Sequence, residues 1–292
     1  MMKHGRKTNL FIVGAAKAGT TMLYQHLSAH PQICMSSIKE PNYFSSEGIK
    51  SDHLYYKEPV VEQESVYSRL FNPSPGQKII GEASVSYLFY PGTAEKIFSY
   101  NPETKIVIIL RDPVRRAFSP YLMDRKLGLV PFSFDEVVLK PVDENKKTYF
   151  QQYVLYGLYF DQVRKYMDVF PAGQVRIFLF DSIRDHLPEV LSQMENFLGL
   201  SSPLKPVDNP DINEAAMPSS KLTAMLYRQR AMRRLLRAAV PDSLRNTLRG
   251  KLFEPPSELM SAASMEWLRN YYLDDLCKLE RLIQSDLKAW YE

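Results

Sequence analysis

Cysteine is nearly absent from this chain. Cys34 and Cys277 are the only two in 292 residues, far apart and without metal-ligand spacing. A disulfide framework is excluded and the pattern offers no structural zinc site. Long apolar runs are missing as well, since no window approaches the roughly 18 residues of a membrane span. The run Leu10 to Ala16 is short, and Lys17 follows it where a leader peptide would carry a cleavage site. These features predict a soluble, cytoplasmic protein. Internal repeats and low-complexity tracts are lacking too. No strong excess of one charge sign exists, because 37 Lys and Arg meet 33 Asp and Glu, a net +4.

What is present is an ordinary globular composition, 45% hydrophobic and 24% charged, long enough to bury a core without covalent staples. The charge is unevenly spread. Pro218 to Phe253 holds nine Lys or Arg and one acid, Asp242, so this stretch carries +8 and the remainder about −4. Either this is the solvated side of a packed helix with Leu222, Leu226, Leu235 and Leu236 beneath it, or it steers anions or touches an anionic membrane surface. No stacking platform accompanies it, so nucleic acid is not an expected partner.

The apolar, β-branched run Asn9 to Ala15 reads as a buried strand, and Gly19 to Ala29 as a helix stopped by His30-Pro31. Further strands are expected at Gln32 to Met35, Lys78 to Glu82, Lys105 to Leu110 and Val175 to Phe180. Helices are expected at Thr93 to Tyr100, after Asp112-Pro113, over Phe150 to Phe170 as one amphipathic rod, at Pro188 to Leu198 before Gly199, and over Glu258 to Trp290. Pro120 should kink or shorten the helix that Asp112 opens. Strands alternating with helices imply an α/β fold, a three-layer domain with a central, mainly parallel sheet flanked by helices. Residues 8–200 would form this α/β core. Residues 201–292 would add a long loop and a helical C-terminal part to a single domain, 1–292.

Gly14-Ala15-Ala16-Lys17-Ala18-Gly19-Thr20-Thr21 joins the first strand to the first helix. Small residues allow a tight turn whose N–H groups approach an anion, and the helix N-terminus adds partial positive charge. Lys17 contributes a point charge; Thr20 and Thr21 contribute hydroxyls. The order differs from the GxxxxGK[ST] of a kinase-type loop, because Lys17 precedes Gly19. A plain turn with small residues for packing is the other reading. Arg111 follows the strand Lys105 to Leu110, at the edge where open α/β sheets bind ligands, and Ser119 lies eight residues on. An Arg fork with a hydroxyl suits a terminal phosphate, although Arg111 could equally pair with Asp112. Together the two motifs fit a nucleotide carrying a 5′ chain and a separate 3′-phosphate.

These motifs resemble those of the sulfotransferases that use 3′-phosphoadenosine 5′-phosphosulfate (PAPS). GAAKAGTT is similar to the 5′-phosphosulfate loop of that family, and RDPVRRAFS with Tyr121 to its 3′-phosphate motif. The likeness runs from about Asn9 to Leu200, through Gly157-Leu158-Tyr159 and Asn196 to Leu200, and leans toward the branch of bacterial and glycosaminoglycan sulfotransferases. It implies a P-loop-like fold and transfer of a sulfuryl group to a hydroxyl or amine of a small molecule, lipid or saccharide. Adenosine 3′,5′-bisphosphate (PAP) would be the product, without a metal. A role in tailoring a secondary metabolite would suit a bacterial-type enzyme. Ala16 to Thr21, Arg111 and Ser119 would hold the nucleotide, with Ser220 and Lys221 closing over it. Lys17 would neutralise the leaving phosphate.

By the same resemblance Glu40, in Lys39-Glu40-Pro41-Asn42-Tyr43-Phe44, is the general base, with His53 as the alternative. Glu40 could instead pair with Lys39 or cap its loop. Lys39, Tyr43, Phe44, Tyr87 and Tyr156 are candidate acceptor contacts. Gly81-Glu82-Ala83-Ser84 is similar to a second strand end of the site, but several glycosaminoglycan relatives carry lysine where Ala83 stands. That departure counts against a polyanionic acceptor. A nucleotide-dependent kinase and a non-catalytic nucleotide- or membrane-binding module are the two other function classes the chain admits.

Overall fold

The five apolar runs form five strands of one sheet: β1 Leu10–Gly14, β2 Ile33–Met35, β3 Ile79–Ala83, β4 Lys105–Leu110 and β5 Val175–Leu179. All pairings are parallel, in the order β2-β3-β1-β4-β5. The computed structural model describes residues 6–52, 54, 60–140, 142–207 and 258–292, with the backbone of 217–218 and 253–254. His53, Ser220, Lys221 and nearly all of the basic stretch lie outside the described residues. β1 is buried along its whole length, as a central parallel strand covered on both faces should be. The chain leaves β1 toward β2 and leaves β4 toward β5, on opposite sides of the sheet. The carboxyl ends of β1 and β4, which are neighbours, therefore flank the topological switch point where such sheets bind ligands.

Among the described residues the α-helices are α1 Thr20–Ser28, α2 Ser46–Ser51, α3 Glu64–Ser68, α4 Ser86–Phe89, α5 Thr93–Tyr100, α6 Pro113–Leu127, α7 Phe134–Val138, α8 Lys147–Tyr153, α9 Tyr159–Val169, α10 Phe180–Asp185, α11 Leu187–Leu198 and α12 Ala262–Ile283. Asp112 caps α6 as its sequence predicts, accepting from the N–H groups of Val114 at 2.8 Å and Arg115 at 3.3 Å. Gly199, at φ 69°, ends α11.

Two expected helix limits fail for tertiary reasons. Pro120 does not shorten α6, which runs on to Leu127. A proline forfeits one backbone bond, and beyond it Tyr121, Leu122 and Asp124 are all buried. Tyr121 donates its hydroxyl to Glu258, and Asp124 accepts from Tyr153 at 2.7 Å, which holds the far half in place. The rod expected over Phe150 to Phe170 is broken into α8, a 3-10 turn at Leu155–Gly157, and α9. The break is imposed by α12. Asp275 receives the N–H groups of Tyr159 at 2.8 Å and Phe160 at 3.2 Å, capping α9 afresh. Tyr272 donates to the Val154 carbonyl at 2.8 Å and sits where any side chain on Gly157 would collide, 2.7 Å from its Cβ position. The buried stripe Leu268, Tyr272, Leu276 and Leu279 shows why α12 packs so tightly.

The segment after α11 is tied to the core by two histidines. His26 accepts from the Val207 N–H at 3.0 Å, and His30 Nε2 lies 3.0 Å from the Ser202 carbonyl.

Candidate active site

The turn after β1 is shaped to present donors. Lys17 and Gly19 both adopt left-handed backbone, at φ 65° and 88°. The Ala15 N–H is used by the Ile109 carbonyl and the Ala18 N–H by the Ala15 carbonyl. Those of Ala16, Lys17, Gly19, Thr20 and Thr21 have no acceptor among the described residues. The last two open α1, where a helix leaves its N–H groups free. Gly19 is required on two counts: its positive φ, and the Phe180 ring edge, which a Cβ there would approach to 2.9 Å.

Lys17 is partly buried, with Nζ 3.7 Å from the Met123 sulfur. Burial lowers its pKa, and the charges of Arg111 and Lys39 push the same way while Asp124 opposes them. A cation whose charge is costly in place is one that an arriving anion would stabilise.

Arg111, at the end of β4, reaches across the switch point and donates from Nη1 to the Lys17 carbonyl at 2.9 Å. Its guanidinium lies over Phe180, 4.7 Å from the ring centre. Its backbone carbonyl accepts from the Tyr159 hydroxyl at 3.0 Å, so α9 also fixes the strand end. Asp112 is engaged by the cap of α6 and by Arg115 at 3.4 Å, and Arg111 makes no ion pair among the described residues. Burial lowers the Arg111 pKa, yet a guanidinium keeps its charge. Ser119 lies partly exposed on α6, two turns from the cap.

Glu40 stands on the loop between β2 and α2, at φ 62°. Its N–H donates to the Ala83 carbonyl at 2.9 Å, tying the loop to the end of β3. One carboxylate oxygen accepts from the Val85 N–H at 2.8 Å, the other from Lys39. The Lys39 pairing is therefore present, while the second bond goes to Val85, just before α4, rather than to the loop of Glu40 itself. The carboxylate keeps 23% of its side-chain exposure, and each oxygen has a further lone pair to offer. Ala83 itself is fully buried, and Lys39 is the cation nearest Glu40 in the structure.

The aromatic candidates sort differently. Phe44 and Tyr87, expected at an acceptor pocket, are core: Phe44 packs against Phe11 and Tyr67, and Tyr87 is fully buried. Tyr43 stacks on Tyr67, with ring centres 4.6 Å apart. Tyr156 is buried against Phe89 at 4.0 Å. Their apolar rings outweigh the polar context of the loop. The residue missed from the sequence is Glu82. It is fully buried in β3 and accepts from the hydroxyls of Tyr67, Tyr87 and Ser84 at 2.7, 2.9 and 2.8 Å. Burial raises its pKa to about 7 despite these bonds, and Glu40 adds to the rise. A lone carboxylate inside the strand IIGEA was the available signal.

The model of the sulfotransferase domain family matches residues 7–221. The membrane-associated sulfotransferase kil1 of Dictyostelium discoideum is 36% identical over 141 residues, 46% of this chain and 28% of that protein. Mouse carbohydrate sulfotransferase 15 is 32% identical over 149 residues, 39% of this chain and 27% of that one. These alignments span less than a third of the curated relatives' own length. A sulfotransferase from Alicyclobacillus acidocaldarius superposes with a TM-score of 0.72 at 32% identity, over 99% of this chain and 100% of that structure. With its parallel sheet, its donor-rich turn after β1 and its arginine at the end of β4, the chain belongs to the sulfotransferase family.

Proposed function

We propose that this protein transfers the sulfuryl group of PAPS to an alcohol on a small molecule, lipid or saccharide. One observation carries the reading. Lys17 and Arg111, from the two strand ends beside the switch point, are joined by the 2.9 Å bond from Arg111 to the Lys17 carbonyl, next to five backbone N–H groups with no acceptor among the described residues. Cationic and N–H donors from two neighbouring strand ends would suit two separate phosphates.

The residues fit the donor nucleotide. The N–H groups of residues 16, 17 and 19–21 and the ammonium of Lys17 would receive the 5′ group and stabilise the charge that grows on the phosphate as the sulfur–oxygen bond breaks. Arg111 and Ser119 would take the 3′-phosphate. Glu40, fixed by Val85 and Lys39, would accept the proton of the attacking hydroxyl. In-line attack calls for positioning rather than covalent protein chemistry. Lys39 would supply the cation that Ala83 lacks. Met123, 43% exposed beside Lys17, and Ile38, 44% exposed beside Lys39, favour an acceptor with an apolar body over a polyanionic glycan.

The test is calorimetric titration with PAP, ADP and Mg²⁺-ATP. PAP should bind best. Arg111→Ala should weaken PAP by about ten- to a hundredfold, the worth of one charge-assisted bond, and weaken ADP by less, through the lost bond to the Lys17 carbonyl. Tighter binding of Mg²⁺-ATP would replace this reading with a kinase.

A further inference from the structure

Glu40 and Asn42 both hold left-handed backbone, at φ 62° and 53°, which residues with side chains seldom adopt. Such a loop keeps its shape only where the surroundings determine it. The surroundings here converge on one carboxylate. Asn42 donates its N–H to the Ser84 hydroxyl at 3.1 Å, and Ser84 donates onward to Glu82 at 2.8 Å. Phe44 donates its N–H to the Tyr87 hydroxyl at 3.4 Å, and Tyr87 donates onward to Glu82 at 2.9 Å. The third donor to Glu82, Tyr67, stacks on Tyr43 of the same loop.

We propose that Glu82 is a positioning residue, which holds the Glu40 loop in its working shape through Ser84 and Tyr87. The inference rests on the reading of Glu40 as the base. Two alternate N–H groups of the loop are thereby tied to a single buried point inside β3. A carboxylate suits the task because its ionised form only accepts, and three hydroxyls lie within hydrogen-bond distance of it. A hydroxyl that gives its proton to Glu82 has its lone pairs free for the loop. With Gln at position 82, an NH2 group would face one or more of these O–H donors, and the hydroxyls would have to turn away from the loop.

The experiment uses Ser84→Ala, Tyr87→Phe and Glu82→Gln in the full chain, with Glu40→Gln as reference. Three quantities are read: amide hydrogen exchange at Asn42 and Phe44, PAP affinity, and kcat and KM for hydrolysis of PAPS with water as acceptor. Exchange should rise about tenfold at Asn42 in Ser84→Ala and at Phe44 in Tyr87→Phe, the worth of one hydrogen bond, and at both in Glu82→Gln. Turnover should fall in each while KM and PAP affinity stay within about twofold of wild type. Adding Ser84→Ala to Glu40→Gln should cost no further turnover. Unchanged exchange overturns the proposal. So does wild-type turnover in Ser84→Ala when Glu40→Gln is impaired. Wild-type turnover in Glu40→Gln itself removes the base reading, and the positioning role with it.

Discussion

Lys17 loses its proton more readily than an exposed lysine, since burial lowers its pKa and Arg111 and Lys39 add to the effect. The sign of the consequence follows. A polyanion binds the charged form, and that form is depleted at a lower pH than the ordinary value of 10.5. PAP affinity of the wild type should therefore fall as pH rises through the range below 10.5, where other lysines remain charged. Lys17→Ala should bind weakly throughout and show no such fall; calorimetry across that range checks both. The places of Lys17, Arg111 and Glu40 in the fold were legible in the sequence, because small residues, a strand end and a Pro-containing polar loop surround them. The surroundings of Glu82 were not, since Tyr67 and Tyr87, which bond it, come from α3 and α4 and meet it only after folding. Phe44 and Tyr87 misled for the converse reason: a tyrosine beside polar neighbours in sequence can still turn its ring into the core.

Among the elements, the strands and longer helices followed from apolar periodicity, and α5 and β4 match their expected limits residue for residue. Short helices such as α3 and α4 span too few residues to show a period. The break between α8 and α9 could not be read locally, because the cap comes from Asp275, more than a hundred residues along the chain. Asp275 is held at a pKa of about 6 by burial, and it still receives both N–H groups at the start of α9. Asp275→Ala should lower stability by about 1 kcal/mol, as loss of a helix cap does, and Asp275→Asn by less. Urea unfolding monitored by circular dichroism would measure both. Because α9 also carries Tyr159, whose hydroxyl bonds the Arg111 carbonyl, the Ala variant should weaken PAP binding slightly as well.

Over the whole molecule, strand order does what no single motif can: it makes two loops, ninety-odd residues apart, neighbours across a crevice. The parallel sheet was expected from alternating strands and helices. The order β2-β3-β1-β4-β5 was not written in any one segment. The ring of Phe180, which opens α10, meets both halves, its edge close to Gly19 and its face against the Arg111 guanidinium. Under the proposed function this wedge turns the crevice into a gauge of fixed span. Adenosine 2′,5′-bisphosphate carries the same groups and the same charge as PAP, with one phosphate moved by a single ribose carbon. A flexible pair of cations would accept either isomer. A gauge set by an aromatic spacer should prefer the 3′ isomer by about tenfold or more, the worth of one misplaced charge-assisted bond, and competition between the two isomers would measure it. The protein would then sort nucleotides by where their charge sits rather than by how much they carry.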